Sequence, residues 1–332
     1  FEIGTPKVLC DGTYIEATVE VKNTGKVAGM EVVQLYYSAP KGKLGKSARE
    51  LIAYAKTDLL APGESQTLTL EFEIDKMCAY DDSGVTGNKS CYVLENGDYQ
   101  IYVGSSVRDA ENVFTYTQDA TKVVERCTEA LSPTKPFDRM HVGENNTLTY
   151  EPTPLRTYSV KERVNENLPV EIPYTGDKGI KLEDVRCGKA TIEQFVAQLS
   201  DEELCCLVRG EGMNSPKVTP GTGSCFGGVT EELISYGIPI VCTTDGPSGI
   251  RMDSGLQATS MPNGTCLACT FNDELISDLY ALEGVEMTAY EIDVILGPGI
   301  NIHRSPLCGR NFEYYSEDPL LAGLCAGAVV HG

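Results

Sequence analysis

Two stretches of this chain gather acidic, basic and glycine residues densely enough to do chemistry. The first is Thr244-Asp245-Gly246-Pro247-Ser248-Gly249-Ile250-Arg251; the second runs from Gly297-Pro298-Gly299 through Asn301, His303 and Arg304 to Arg310-Asn311-Phe312-Glu313. A carboxylate such as Asp245 accepts two hydroxyl hydrogen bonds at once, and a guanidinium donates in a fixed fork while staying charged. Such groups suit a neutral, hydroxyl-rich ligand. By themselves the residue types leave second readings open. Asp-Gly is ordinary turn chemistry, so Asp245 also reads as a turn or cap residue. Arg310 and Glu313, three apart, also read as a structural ion pair. His303 has no partner spaced to make a catalytic triad and also reads as a packing or hydrogen-bonding residue. Gly297-Pro298-Gly299 lacks the spacing and the lysine of a phosphate loop. Cys266-x-x-Cys269 has no second pair and no nearby His, so no metal and no cofactor is expected.

The elements that position these clusters change period along the chain. Over residues 1–120, Ile15, Ala17, Val19 and Val21 alternate with polar neighbours, as do Leu68, Leu70, Phe72 and Ile74. That is the period of half-buried strands, and Asn23-Thr24-Gly25, Ala61-Pro62-Gly63 and Asn96-Gly97 supply turns between them, the pattern of a β-sandwich. Residues 121–180 carry recurrent prolines (Pro133, Pro136, Pro152, Pro154, Pro169, Pro173) and read as a connector without long regular elements. From 181 onward, Thr191-x-x-Gln194 and Ser200-x-x-Glu203 are capping boxes that start helices. A short helix at Glu231–Tyr236 leads into the buried strand Ile238–Cys242, which ends at Thr244-Asp245. A long helix from Asn272 to about Glu291, with Leu275, Leu279 and Leu282 on one face, precedes the strand Val294-Ile295-Leu296. Asp318-Pro319 then opens a last helix. Strand, helix, strand, helix is the grammar of a parallel α/β fold, whose active face lies at the carboxyl ends of the strands.

Composition narrows the partners. The net charge of -21 over 332 residues argues against nucleic acid and against anionic membranes. There is no apolar run of ~20 residues that would span a bilayer. Thirteen cysteines, mostly single and in apolar contexts, read as buried free thiols of a reducing, cytoplasmic compartment. Asn-x-Ser/Thr patterns noted at Asn88, Asn146 and Asn263 carry little weight alone.

Residues 1–120 resemble the fibronectin type III-like domain that accompanies glycoside hydrolase family 3 enzymes. The resemblance is carried by Val21-Lys22-Asn23-Thr24-Gly25, Gly29-Met30-Glu31-Val32-Val33-Gln34-Leu35-Tyr36, Arg49-Glu50-Leu51, Leu60-Ala61-Pro62-Gly63-Glu64 and Gly97-Asp98-Tyr99. Residues 181–332 resemble the N-terminal portion of that family's TIM-like (β/α) barrel, through the Asp245–Arg251 loop and the long run from Leu296-Gly297-Pro298-Gly299 to Ser316-Glu317-Asp318-Pro319. The order, with the sandwich ahead of the barrel, resembles a permuted bacterial subgroup.

The resemblance implies a retaining, exo-acting β-glucosidase that releases terminal β-D-glucosyl residues through a glycosyl-enzyme intermediate. β-Glucosides or cello-oligosaccharides would be its substrates. A β-xylosidase, an N-acetylglucosaminidase or a non-catalytic carbohydrate-binding or scaffold protein remain as alternatives. It also implies that Asp245, Arg251 and Arg310 bind sugar hydroxyls, with Glu313 holding Arg310 in its rotamer and His303 standing behind them. The family's nucleophile and acid/base carboxylates match no residue here, so no catalytic residue is assigned. The expectation is therefore a proteolytic or engineered piece. The remainder of the barrel and an α/β sandwich domain would come from further sequence or another copy.

Overall fold

The computed structural model describes residues 1–332 except Glu144 and Asn146. The acceptor pattern noted at Asn146 therefore falls outside the described residues; read strictly, it begins at Asn145. The chain divides into two compact units, Phe1–Glu166 and Asn167–Gly332.

The first unit is all antiparallel: β1 (Glu2–Ile3), β2 (Lys7–Cys10), β3 (Tyr14–Lys22), β4 (Val32–Ser38), β5 (Glu50–Lys56), β6 (Ser65–Glu73), β7 (Ala79–Asp81), β8 (Cys91–Leu94), β9 (Gly97–Gly104) and β10 (Glu111–Gln118), then the shorter β11 (Lys122–Arg126), β12 (Asp138–Val142) and β13 (Leu148–Pro152). β1 and β2 share one edge of β3 and β6 takes the other, while a second sheet runs β10-β9-β4-β5. The alternating residues do what their period predicts. Ile15, Ala17, Val19 and Val21 of β3 and Leu68, Leu70 and Phe72 of β6 meet Val33, Leu35 and Tyr37 of β4 and Tyr99, Ile101 and Val103 of β9 in one core. Asn23 closes the β3 turn from inside. Its amide donates to Val27 O (2.9 Å) and Leu60 O (2.8 Å), and its oxygen accepts from Gly25 N (2.9 Å), at 1% exposure. Asn23→Ala should therefore cost about 1–2 kcal/mol, because the turn loses three hydrogen bonds of which the one to Leu60 O is buried; a urea unfolding curve with an unchanged slope and a lower midpoint checks it.

Residues 121–180 hold more regular structure than their prolines suggest, all of it short. β11 pairs with β8, β12 and β13 form a hairpin, and α1 (Val160–Glu166) ends the unit. Pro152 fits because it closes β13, which pairs on one side only.

In the second unit, α2 (Leu182–Arg186), α3 (Ile192–Ala197) and α4 (Asp201–Arg209) precede β14 (Ser224–Gly227), α5 (Glu231–Ser235) and β15 (Ile240–Asp245). α6 (Gly264–Ala268), α7 (Asp273–Ala289), β16 (Val294–Leu296) and α8 (Pro319–His331) follow. Both capping boxes form: Thr191 Oγ1 accepts from Gln194 N and Ser200 Oγ from Glu203 N, with the reciprocal bonds present. Asn272 and Asp318 cap α7 and α8.

The sheet β14-β15-β16 is open, with no closed barrel among the described residues, in keeping with a portion of a barrel; β15 and β16 are parallel as expected, and three other features depart from expectation. β14 runs antiparallel to β15, in register from Ser224 opposite Thr243 to Gly227 opposite Ile240. On α7 the buried stripe is Ile276, Tyr280 and Glu283, while Leu275 and Leu282 are exposed. Apolar residues wrap this helix, so its sequence does not select a face. Finally, all thirteen cysteines are free, but only Cys91, Cys225, Cys242 and Cys325 are buried. Adjacent Cys205 and Cys206 on α4 show why: neighbours about 100° apart around a helix do not share one face. No described helix is long and apolar enough to cross a membrane.

Candidate functional site

Asp245 is the last residue of β15 and pairs in register with Leu296, the last of β16. The two polar stretches therefore leave the sheet side by side, at the carboxyl ends of parallel strands. The loop after Asp245 doubles back and is tied at several points. Arg251 N donates to Asp245 O (2.8 Å), Thr244 Oγ1 donates to Arg251 O (2.9 Å), Tyr280 Oη donates to Pro247 O (2.7 Å) and Met261 N donates to Ser248 O (3.0 Å). Gly249 sits at φ +102°, where a Cβ would come within 2.2 Å of Thr259 O, so the turn tolerates no side chain there.

The second stretch is pinned at Asn311–Glu313, a single 3-10 turn. Residues three apart eclipse in that geometry, which puts Arg310 and Glu313 on one face. Arg310 Nε donates to Glu313 Oε1, and the carboxylate is buried while the arginine stays open. The bond and charge of Glu313 raise the Arg310 pKa above its ordinary value, and Asp245 adds to the shift. Asp245 thus lies within electrostatic reach of Arg310. Arg251 Nη1 stands 3.9 Å from Asp245 Oδ2, an ion pair too long for a hydrogen bond, while its Nε meets Asp253 Oδ1 at 3.1 Å. His303 is engaged with backbone: its Nε2 lies 2.7 Å from Asn311 O, so that nitrogen carries the proton, and its N donates to Ser316 O (3.1 Å). That bond braces the turn carrying Arg310.

The structure thus brings Asp245, Arg251, Arg310 and Glu313 to one end of the sheet, with His303 supporting. The side chains of Asp245, Arg251 and Arg310 are 48%, 62% and 70% exposed, so the cluster is a floor open to solvent, not a cleft. A concavity of about 500 Å³ in this unit lies at the other end of β15, lined by Lys217, Thr219, Ile240 and Asp293, away from the cluster. Two supporting residues escaped the sequence reading. Thr265 Oγ1 reaches Tyr314 O (2.8 Å) beneath the 3-10 turn, and Tyr280 holds Pro247. Neither lies in a motif; only the fold brings them under the loops. Among the described residues no group of three or more His, Cys, Asp or Glu side chains is placed to hold a metal ion.

Comparison with known proteins identifies both parts of the chain. Residues 177–332 match the glycosyl hydrolase family 3 N terminal domain, and residues 31–107 match the fibronectin type III-like domain. A β-glucosidase of Ruminococcus albus is 54% identical over 322 residues, 97% of this chain. Residues 177–332 belong to glycosyl hydrolase family 3. β-Glucosidase A of Butyrivibrio fibrisolvens is 40% identical over 96% of the chain. A solved β-glucosidase from Paenibacillus barengoltzii superposes on 99% of it with a TM-score of 0.93 at 55% identity. The chain spans 34%, 40% and 37% of those three proteins, so it corresponds to little more than a third of these relatives.

Proposed function

We propose that this chain is part of a retaining, exo-acting β-glucosidase, and that its share of the active site is the sugar-binding floor. Asp245 accepts hydrogen bonds from two sugar hydroxyls; Arg251 and Arg310 donate to others, with Glu313 fixing the Arg310 fork and His303 bracing its turn. The nucleophile and the acid/base belong to barrel and α/β sandwich sequence outside these 332 residues. The observation that carries the reading is the meeting of one carboxylate and two guanidinia at the carboxyl ends of β15 and β16. The names of the similar proteins, all β-glucosidases, support glucose as the sugar. Once sugar and the rest of the barrel cover these groups, a charge left without its matching hydroxyl is costly, so the site discriminates against epimers and shortened sugars.

A panel of aryl glycosides on the full-length protein tests this. The β-D-glucoside should be cleaved at least about tenfold more efficiently than the β-D-xyloside or the N-acetyl-β-D-glucosaminide, the discrimination expected of one matched polar group. Equal or reversed rates would reassign the sugar, and no cleavage of any would point to a binding protein. Glu313→Ala should raise KM for the glucoside about tenfold with a smaller change in kcat, since the unpaired arginine loses its orientation before it loses its charge. Michaelis curves on the variant check that split.

A further inference from the structure

α7 places three side chains one turn apart on its buried face: Ile276, Tyr280 and Glu283. Tyr280 Oη spends its proton on Pro247 O at 2.7 Å. It is also hydrogen-bonded to Tyr315, and because Tyr280 has no second proton to give, Tyr315 is the donor in that bond. A chain therefore runs Tyr315 to Tyr280 to the Pro247 carbonyl, and ends in the loop that carries Asp245. Glu283 lies within electrostatic reach of both phenols and raises the pKa of each. It is 2% exposed, and neither carboxyl oxygen has a hydrogen-bond partner among the described residues.

The surroundings offer a negative charge no help. On its own helix Glu283 faces Tyr280 and, one turn on, the carboxylate of Glu286. The segment after the 3-10 turn presents Tyr315, and α8 presents Cys325 beside Tyr315, with Asp273 facing that cysteine. His331 of α8 is turned to Ser277, and Glu313 is committed to Arg310. Neither α7 nor α8 carries a lysine or an arginine. Burial first, then Glu286, pushes the Glu283 carboxyl up to about 7.

We propose that Glu283 is a positioning residue that governs the Asp245 loop through Tyr280, leaving the phenol on Pro247 when it is a neutral acid and drawing it away when it is a carboxylate. A buried carboxylate needs donors, and the two phenols are the hydroxyls beside it. A phenol bonded to a carboxylate is held more strongly than one bonded to a neutral carbonyl, so ionisation, with the proton released to solvent, favours the exchange. Pro247 then loses its side-chain anchor, and the loop keeps the ties among Thr244, Asp245 and Arg251 and the bond from Met261 N to Ser248 O (3.0 Å). The consequence for sugar binding rests on the reading of Asp245 as a sugar ligand; the movement of the loop does not.

Hydrogen exchange of the loop peptide spanning 245–253, in the full-length protein and corrected for intrinsic rates, tests the proposal. Wild-type protection should fall about tenfold from pH 6 to pH 8, that of Glu283→Gln should change by less than about twofold, and Tyr280→Phe should be weakly protected at both pH values. Stability gives a second readout. Because burial raises this carboxyl from the ordinary 4.5 to about 7, its contribution is fully present below 4.5 and is lost as pH rises through 7. The melting temperature of Glu283→Gln should therefore gain on wild type between pH 5 and pH 8. A shared pH response of loop protection in wild type and Glu283→Gln would overturn the proposal, as would a Tyr280→Phe loop that keeps the wild-type response. Should Glu283→Gln fail to fold, Tyr280→Phe decides alone. None of these readouts needs glycoside turnover, so failure of the sugar reading appears separately in the substrate panel.

Discussion

Replacing Asp245 by asparagine in the full-length protein should lower kcat/KM for an aryl β-glucoside by about a thousandfold, near 4 kcal/mol, the worth of two charge-assisted hydrogen bonds. Asparagine keeps the size of the side chain but offers one acceptor where the carboxylate offers two, and it turns a donor toward a hydroxyl that must donate. The fold should hardly notice. What ties the loop at Asp245 is its backbone carbonyl, which accepts from Arg251 N, and the side chain is half open to solvent. The melting temperature should therefore stay within about 2 °C of wild type, as for surface changes away from special features. A variant that folds normally and retains more than about a tenth of wild-type kcat/KM, less than 1.4 kcal/mol lost, would remove Asp245 from the sugar site. Arg251→Ala and Arg310→Ala, compared on the same substrate, would show whether the loss belongs to the carboxylate alone.

Tyr99→Ala should destabilise the sandwich by about 4 kcal/mol, within the range for deleting a buried aromatic ring. Tyr99 is fully buried, and its hydroxyl donates to Glu95 O at 3.1 Å. The rings of Tyr37 and Tyr116 lie 6.5 and 6.3 Å away, tilted against it. Burial holds the Tyr99 phenol neutral well above the ordinary range, so the residue acts as an apolar body with one donor. Tyr99→Phe removes only that donor and should cost about 1 kcal/mol, leaving Glu95 O without its partner. Tyrosine fluorescence suits the measurement, because the chain has 17 tyrosines and no tryptophan. A denaturant midpoint that falls little more for Tyr99→Ala than for Tyr99→Phe would mean the core closes over the missing ring.

Much of this molecule could be read without coordinates, for local reasons. Alternation alone placed Ile15 to Val21 and Leu68 to Ile74 in the core, because a strand has two faces and water covers only one. Thr191, Ser200, Asn272 and Asp318 marked helix starts, because exposed backbone donors need an acceptor within three residues. The pairing of Arg310 with Glu313 followed from a spacing of three once that segment turned tightly. Asp245, following an apolar run, fell at the end of a strand as its position suggested.

What the sequence left open depends on neighbours distant along the chain. β14 has no strong alternation, and its antiparallel course is set by its pairing with β15. Which stripe of α7 is buried was set by what packs against it: Leu275 and Leu282 face solvent while Glu283, the least expected core residue, faces inward. The cysteines went the same way, since an apolar neighbourhood in sequence does not decide which side of an element a thiol occupies. Sequence therefore determined the chemistry at hand, one carboxylate and two guanidinia after two strand ends, because residue type and local period are written in adjacent positions. Only the tertiary structure decided what holds that chemistry in place. Tyr280 beneath Pro247 and Thr265 beneath the 3-10 turn meet their partners across tens of residues, through contacts that packing alone creates.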